Sequence, residues 1–134
     1  MTKVIPGPHP DPHPPKAFTP PPKACDAHCH IFGPASQFPF AEQRAYTPPD
    51  SGIDRFEELQ ERLGLSRAVF VQASCHGTDN SALLHAVRRG NGKYSGVAMI
   101  DDDTTDLEIR QLHEAGVRGI RFNFVAHLGG APDL

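Results

Sequence analysis

The chain has 134 residues, of which 38% are apolar and 22% charged, with a formal charge of −3. That balance predicts a folded domain and argues against a disordered chain. No basic run is denser than Arg88-Arg89, which removes the electrostatic footprint of a nucleic-acid binder, and no apolar run approaches the roughly 18 residues of a membrane span.

Residues 1–22 form a compositional zone of their own, with proline at 6, 8, 10, 12, 14 and 15. Proline removes the backbone donor, so this arm is expected to be extended, without helix or ladder bonds, and disordered on composition alone. Metal capture by His9 and His13 is the sharper alternative, but nothing rigid holds those side chains. No apolar leader region is present, so no secretory signal is expected. Residues 23–134 change to alternating strands and helices. Ala24–Phe32 reads as a first strand, and the Pro- and Gly-marked stretch from Gly33 to Ser51 as a long loop. Ile53, Phe56, Leu59 and Leu63 recur at helical spacing, with Gly64 placed to end that helix. A second strand covers Arg67–Ala73. Thr78, Asp79 and Asn80 offer N-cap oxygens for a helix carrying Leu83, Leu84 and Val87, which Gly90 and Gly92 stop. Tyr94–Ile100 reads as a third strand. Thr105 and Glu108 have capping-box spacing for a third helix ending at Gly116, and Val117–Phe124 as a fourth strand.

Repeated strand–helix–strand units imply a parallel sheet covered by helices. An open doubly wound sheet and a closed (β/α)8 barrel both fit. No Gly-x-Gly-x-x-Gly follows the first strand, so the dinucleotide-binding version loses support. A barrel takes about 250 residues, so the first four β/α units are the expected content, with the rest outside these residues.

Alternation along the first strand places Asp26, His28 and His30 on one face and Ala27, Cys29 and Ile31 on the other. Two imidazoles at the C-terminal end of a barrel strand stand where such folds keep their sites. They can ligate zinc or donate to a carbonyl oxygen. A locally satisfied polar pair is the bland alternative. Cys29 falls on the outer face and is expected to be a buried thiol, as are Cys25 and Cys75; three cysteines at irregular spacing suit a reducing cytoplasm better than a disulfide framework. On the fourth strand Arg121 and Asn123 share the inner face with Gly119, while Ile120, Phe122 and Phe124 suit packing under helices. A buried guanidinium needs an anion: a substrate carboxylate, or a structural carboxylate of the barrel. Gln72, Ser74 and His76 share a face at the end of the second strand, where Ser74 either donates to a ligand or caps the loop. No nucleophile elbow surrounds Ser74. Tyr46, in the long loop, is a weaker candidate, and His85 and His113 lie on helices facing solvent.

The string Cys25-Asp26-Ala27-His28-Cys29-His30-Ile31-Phe32-Gly33-Pro34 resembles the opening of the 2-pyrone-4,6-dicarboxylate lactonase group of the amidohydrolase superfamily. Gly116-Val117-Arg118-Gly119-Ile120-Arg121-Phe122-Asn123-Phe124 resembles its fourth strand. The resemblance runs from about Ala24 to Gly129 and implies a cytoplasmic lactone hydrolase of aromatic-compound degradation. It implies that His28 and His30 polarise the ring ester carbonyl, and that Arg121, helped by Ser74, Tyr46, Asn123 and the residue at His127, binds a carboxylated small molecule. A His of the fifth strand and a water-activating Asp of the eighth would lie beyond Leu134, so the 134 residues alone are expected to be inactive. His127 departs from the second Arg the group often carries there. The resemblance implies no required metal, no nucleic-acid partner and no membrane association, and leaves oligomeric state open. Two alternatives remain: a metal-dependent hydrolase or decarboxylase with zinc or manganese on His28 and His30, and a non-catalytic barrel fragment.

Overall fold

The computed structural model describes residues 3–123. Four parallel strands form the main sheet in the order β2-β4-β5-β6. They are β2 (Cys25–Cys29), β4 (Arg67–Val71), β5 (Tyr94–Met99) and β6 (Val117–Arg121). Helices α1 (Ile53–Leu63), α2 (Ser81–Arg89) and α3 (Asp106–Glu114) connect them in turn. A separate two-stranded piece pairs β1 (Lys3–Val4) with β3 (Tyr46–Thr47), again in parallel. The strands end earlier than their apolar runs do, because after Val71 and Met99 the backbone turns into the loops that lead to the next helix.

One face of the sheet packs on the helices. Ala68 and Phe70 from β4, Tyr94 and Ala98 from β5 and Val117 from β6 join Ile53, Phe56, Ala82, Leu83, Ala86 and Val87 in a single core. Phe70 sits edge-on to both Phe56 and Tyr94, with centroids 4.8 and 5.1 Å apart, the geometry aromatic quadrupoles favour. On α1 the buried stripe includes Gln60, whose Oε1 accepts from the Tyr94 hydroxyl at 2.6 Å; the polar side chain was invisible to an apolar-period reading. Gly64 closes α1 at φ 69°, a left-handed turn in which a Cβ would be strained. Thr105 and Glu108 make the capping box predicted for α3. At α2, Asp79 Oδ1 accepts from Ser81 N at 3.0 Å. Asn80 instead turns its amide to β5, accepting from Met99 N at 3.0 Å and donating to Met99 O at 2.8 Å.

Several expectations need correcting. Lys3–Val4 does make ladder contacts, and Ile5 N donates to Thr47 O at 3.2 Å; these residues precede the first proline and keep their donors. The arm is not left loose. Arg55 donates to the carbonyls of His9 at 2.9 Å and Pro10 at 2.7 Å, and Arg62 pairs with Asp11, because extended proline-rich backbone leaves its carbonyls unpaired. Cys25 is exposed rather than buried, since β2 is an edge strand. Ile120 on β6 is 37% exposed, and Phe122, just past the end of the strand, 54%, so this side is less covered by helices than expected.

Candidate functional site

A register shift in β2 decides which side chains reach the inner face. Asp26 stands opposite Ala68 and Cys29 opposite Phe70, three residues against two. Asp26 therefore falls on the helix side with Cys29, against the simple alternation that grouped it with the histidines. Its carboxylate accepts from His28 N at 3.1 Å and so pins the bulge. Cys29 donates its thiol toward Val69 O at 3.5 Å, and burial pushes that thiol up to about 12.

His28 and His30 remain together on the inner face, with ring centroids 5.2 Å apart and planes nearly perpendicular. His28 is exposed and His30 half-buried. His30 Nδ1 lies 2.8 Å from Val71 O. A carbonyl oxygen can only accept, so Nδ1 carries the proton and Nε2 of the neutral ring carries the lone pair. Burial holds His30 below the usual imidazole range, with smaller contributions from His28 and Arg121.

A second bulge, between Gly96 and Val97, moves β6 by one residue relative to β5: Gly96 faces Val117, and Val97 faces Gly119. Val117 thus enters the core while Gly119 and Arg121 turn inward. Arg121 reaches across β5 to donate to Gln72 O at 2.9 Å. Among the described residues its guanidinium meets no carboxylate. Asn123 follows at 8% exposure. His127 and Phe124 lie outside the described residues.

The long loop supplies the facing wall. Tyr46 in β3 is held up from its usual range by burial, while the Ser74 hydroxyl and the Arg121 charge act the other way. Tyr46 thus meets Ser74, and the Arg121 charge acts on both Tyr46 and His30. Ser74 does not continue β4: Ser74–His76 is a single turn of 3-10 helix. This breaks the alternation expected of Gln72, Ser74 and His76. Gln72 points back and donates to Gly77 O at 3.0 Å and Asp79 O at 2.8 Å. His76 is buried and binds the long loop through Gly33 and Pro39. Cys75 is fully buried, its thiol pushed up to about 11. His85 and His113 are exposed on helices, as expected. Among the described residues no three His, Cys, Asp or Glu side chains converge as a metal set.

The sequence model of the family described as Amidohydrolase matches residues 25–134. A 2-pyrone-4,6-dicarboxylate hydrolase of Comamonas testosteroni is 50% identical over 111 residues, covering 83% of this chain and 36% of that protein. A 4-sulfomuconolactone hydrolase of Rhizobium radiobacter is 44% identical over 120 residues, 89% of this chain and 40% of that protein. Among solved structures, a probable 2-pyrone-4,6-dicarboxylic acid hydrolase of Acinetobacter baumannii with citric acid bound superposes with a TM-score of 0.68 at 28% identity, over 75% of this chain and 37% of that one. The chain thus spans little more than a third of the length of these relatives, and its parallel sheet corresponds to the first four β/α units of a (β/α)8 barrel.

Proposed function

The chain belongs to the amidohydrolase family, and from that premise we propose that it supplies the carbonyl-binding and carboxylate-binding half of a lactone hydrolase site. The observation that carries the reading is Arg121: a half-buried guanidinium whose charge acts on His30 and Tyr46 and that, among the described residues, has a carbonyl and no carboxylate as partner. A ligand carboxylate answers that need with charge-assisted hydrogen bonds. The best-matching class is a carboxylated lactone such as 2-pyrone-4,6-dicarboxylate, the compound named in the Comamonas relative. Arg121 anchors one carboxylate, and Tyr46, Ser74 and Asn123 contact the ring; the binding role expected of His127 falls outside the described residues. His28 donates to the ester carbonyl as water attacks, so negative charge gathers on that oxygen before the ring C–O bond breaks. Neutral His30 offers an acceptor at Nε2, and donates from there only when protonated. The base that takes the proton from water has no assigned residue in this chain. The unpaired cysteines suit a cytoplasmic setting.

The test is ring opening by a protein in which residues 25–134 replace the matching part of the Comamonas relative. Losing one donor to a developing oxyanion costs about 10²–10³-fold, so His28→Ala is expected to fall by that factor. Undiminished turnover in that variant sinks the reading. The Nε2 lone pair of His30 favours a second reading, in which His28 and His30 hold zinc or manganese. The ion would supply Lewis acidity to the carbonyl, with further ligands from outside the described residues. Metal analysis of the purified hybrid, before and after chelation, separates the two.

A further inference from the structure

We propose that His76 is a positioning residue for this site: its two ring nitrogens clamp the loop between β2 and α1 at Gly33 and Pro39, and so hold Tyr46 beside Ser74. The inference rests on the reading of Tyr46 and Ser74 as ligand-binding groups. His76 is 2% exposed. Its Nε2 accepts from Gly33 N at 3.2 Å, and its Nδ1 faces Pro39 O at 3.2 Å. An amide N–H on one side and a carbonyl on the other admit one tautomer, neutral with the proton on Nδ1. The Phe40 ring lies 4.8 Å from the imidazole, and Ala41 N donates to Cys75 O at 2.8 Å. The single turn at Ser74–His76 thus uses each of its residues: Ser74 meets Tyr46, the Cys75 carbonyl and His76 fasten the loop. Further along, Arg44 donates to Ala41 O at 2.7 Å and to Thr47 Oγ1 at 2.9 Å, carrying the restraint to the strand that bears Tyr46. Gly33 sits at φ 69°, and a Cβ there would strike Asp50 and the Ala35 backbone. The 19-residue stretch 33–51, whose named regular element is the two-residue β3, loses much conformational entropy when ordered, and buried hydrogen bonds at fixed points offset that cost.

The charged groups near the ring are Asp79, which follows it, Asp50, across the loop, and Arg44, 5.9 Å from the centre of the Phe40 ring. The two carboxylates favour imidazolium, and burial opposes it more strongly. A proton on Nε2 would set it against the Gly33 N–H and release the clamp.

The test uses the full 134-residue chain, its His76→Phe variant, which keeps the ring volume, and His76→Gln, which keeps an acceptor and a donor. Amide exchange, imidazole nitrogen resonances and affinity for 2-pyrone-4,6-dicarboxylate are measured. Two lost hydrogen bonds should speed exchange within 33–51 by about 10-fold or more, with β4, β5 and α2 unchanged. Affinity should fall in parallel, and Gln should recover most of both. Faster exchange spread through the sheet, or none in the loop, overturns the proposal. An Nε2-protonated ring in the unaltered chain at neutral pH also overturns it, whether or not the variants fold. If the unaltered chain binds no lactone while the exchange result holds, the lactone reading fails and the clamp stands.

Discussion

Arg121 shows what one residue contributes when, among the described residues, no carboxylate partners it. Its guanidinium has five donors, and among the described residues it donates to the Gln72 carbonyl. Arg121→Ala in the hybrid lactonase is expected to weaken binding of carboxylated lactones by about 10–100-fold, the worth of a charge-assisted pair. Neutral lactones should change by less than about threefold. A Michaelis-constant series across both lactone types measures this, and equal losses remove Arg121 from the carboxylate role. His76 gives a pH dependence whose sign follows from linkage. Burial holds its folded pKa below the ordinary imidazole value, so the unfolded chain takes up the proton first as pH falls. The stabilisation is therefore complete above the ordinary value, near 6.5, and is lost as pH drops below it toward the folded value. Urea midpoints at pH 7.5 and 5.0 should fall, and fall less in His76→Gln. His30 is shifted in the same direction, so part of the decline should survive that substitution.

At the scale of elements, α3 differs from its neighbours. None of its residues is buried, and Leu107 and Ile109 are 64% and 40% exposed. A nine-residue helix with so little packing is marginal by propensity alone. Its first turn is tied by Glu108 Oε2 accepting from Thr105 N at 2.8 Å and Glu108 N donating to Thr105 Oγ1 at 3.3 Å. Thr105→Ala is expected to cost about 1 kcal/mol, visible as lost helical ellipticity and faster exchange confined to residues 106–114. Helix α1 rests instead on Phe56 against Phe70 and Tyr94 and should be unaffected. Wholesale unfolding in Thr105→Ala would show that the cap supports the sheet as well.

At the scale of the whole molecule, the sheet formed by the described residues has two open edges. Among the described residues β2 pairs only with β4, and β6 only with β5. A closed barrel has no such edges. Ile120 and Phe122 add exposed apolar surface along β6. The 134-residue chain is therefore expected to associate with itself as concentration rises, and Ile120→Lys should reduce that association. Light scattering across a dilution series reads the effect; a monomer at all concentrations would contradict it. The same openness leaves His28 exposed and His30 and Arg121 half-buried, which weakens their electrostatics. Hydrolysis of 2-pyrone-4,6-dicarboxylate by the chain alone is accordingly expected to be negligible beside the hybrid.

The sequence by itself determined the order of the four main-sheet strands and their three helices, the helix stops at Gly64 and Gly116, the capping box at Thr105 and the pairing of His28 with His30, but not the small β1–β3 pair. These follow from local rules: apolar period, backbone freedom of glycine and short-range hydrogen bonds. It also marked Arg121 as an inward-facing cation, because β6 alternates regularly from Gly119 to Arg121. Tertiary structure decided what depends on neighbours distant in the chain. The bulge against β4 moved Asp26 to the helix side, and no count along β2 alone contains that partner. The turn at Ser74–His76 took His76 out of strand alternation and made it a fastener for a loop some forty residues earlier. The His30 tautomer was set by the Val71 carbonyl on the adjacent strand, since an imidazole has two equivalent choices until an acceptor is placed beside one of its nitrogens.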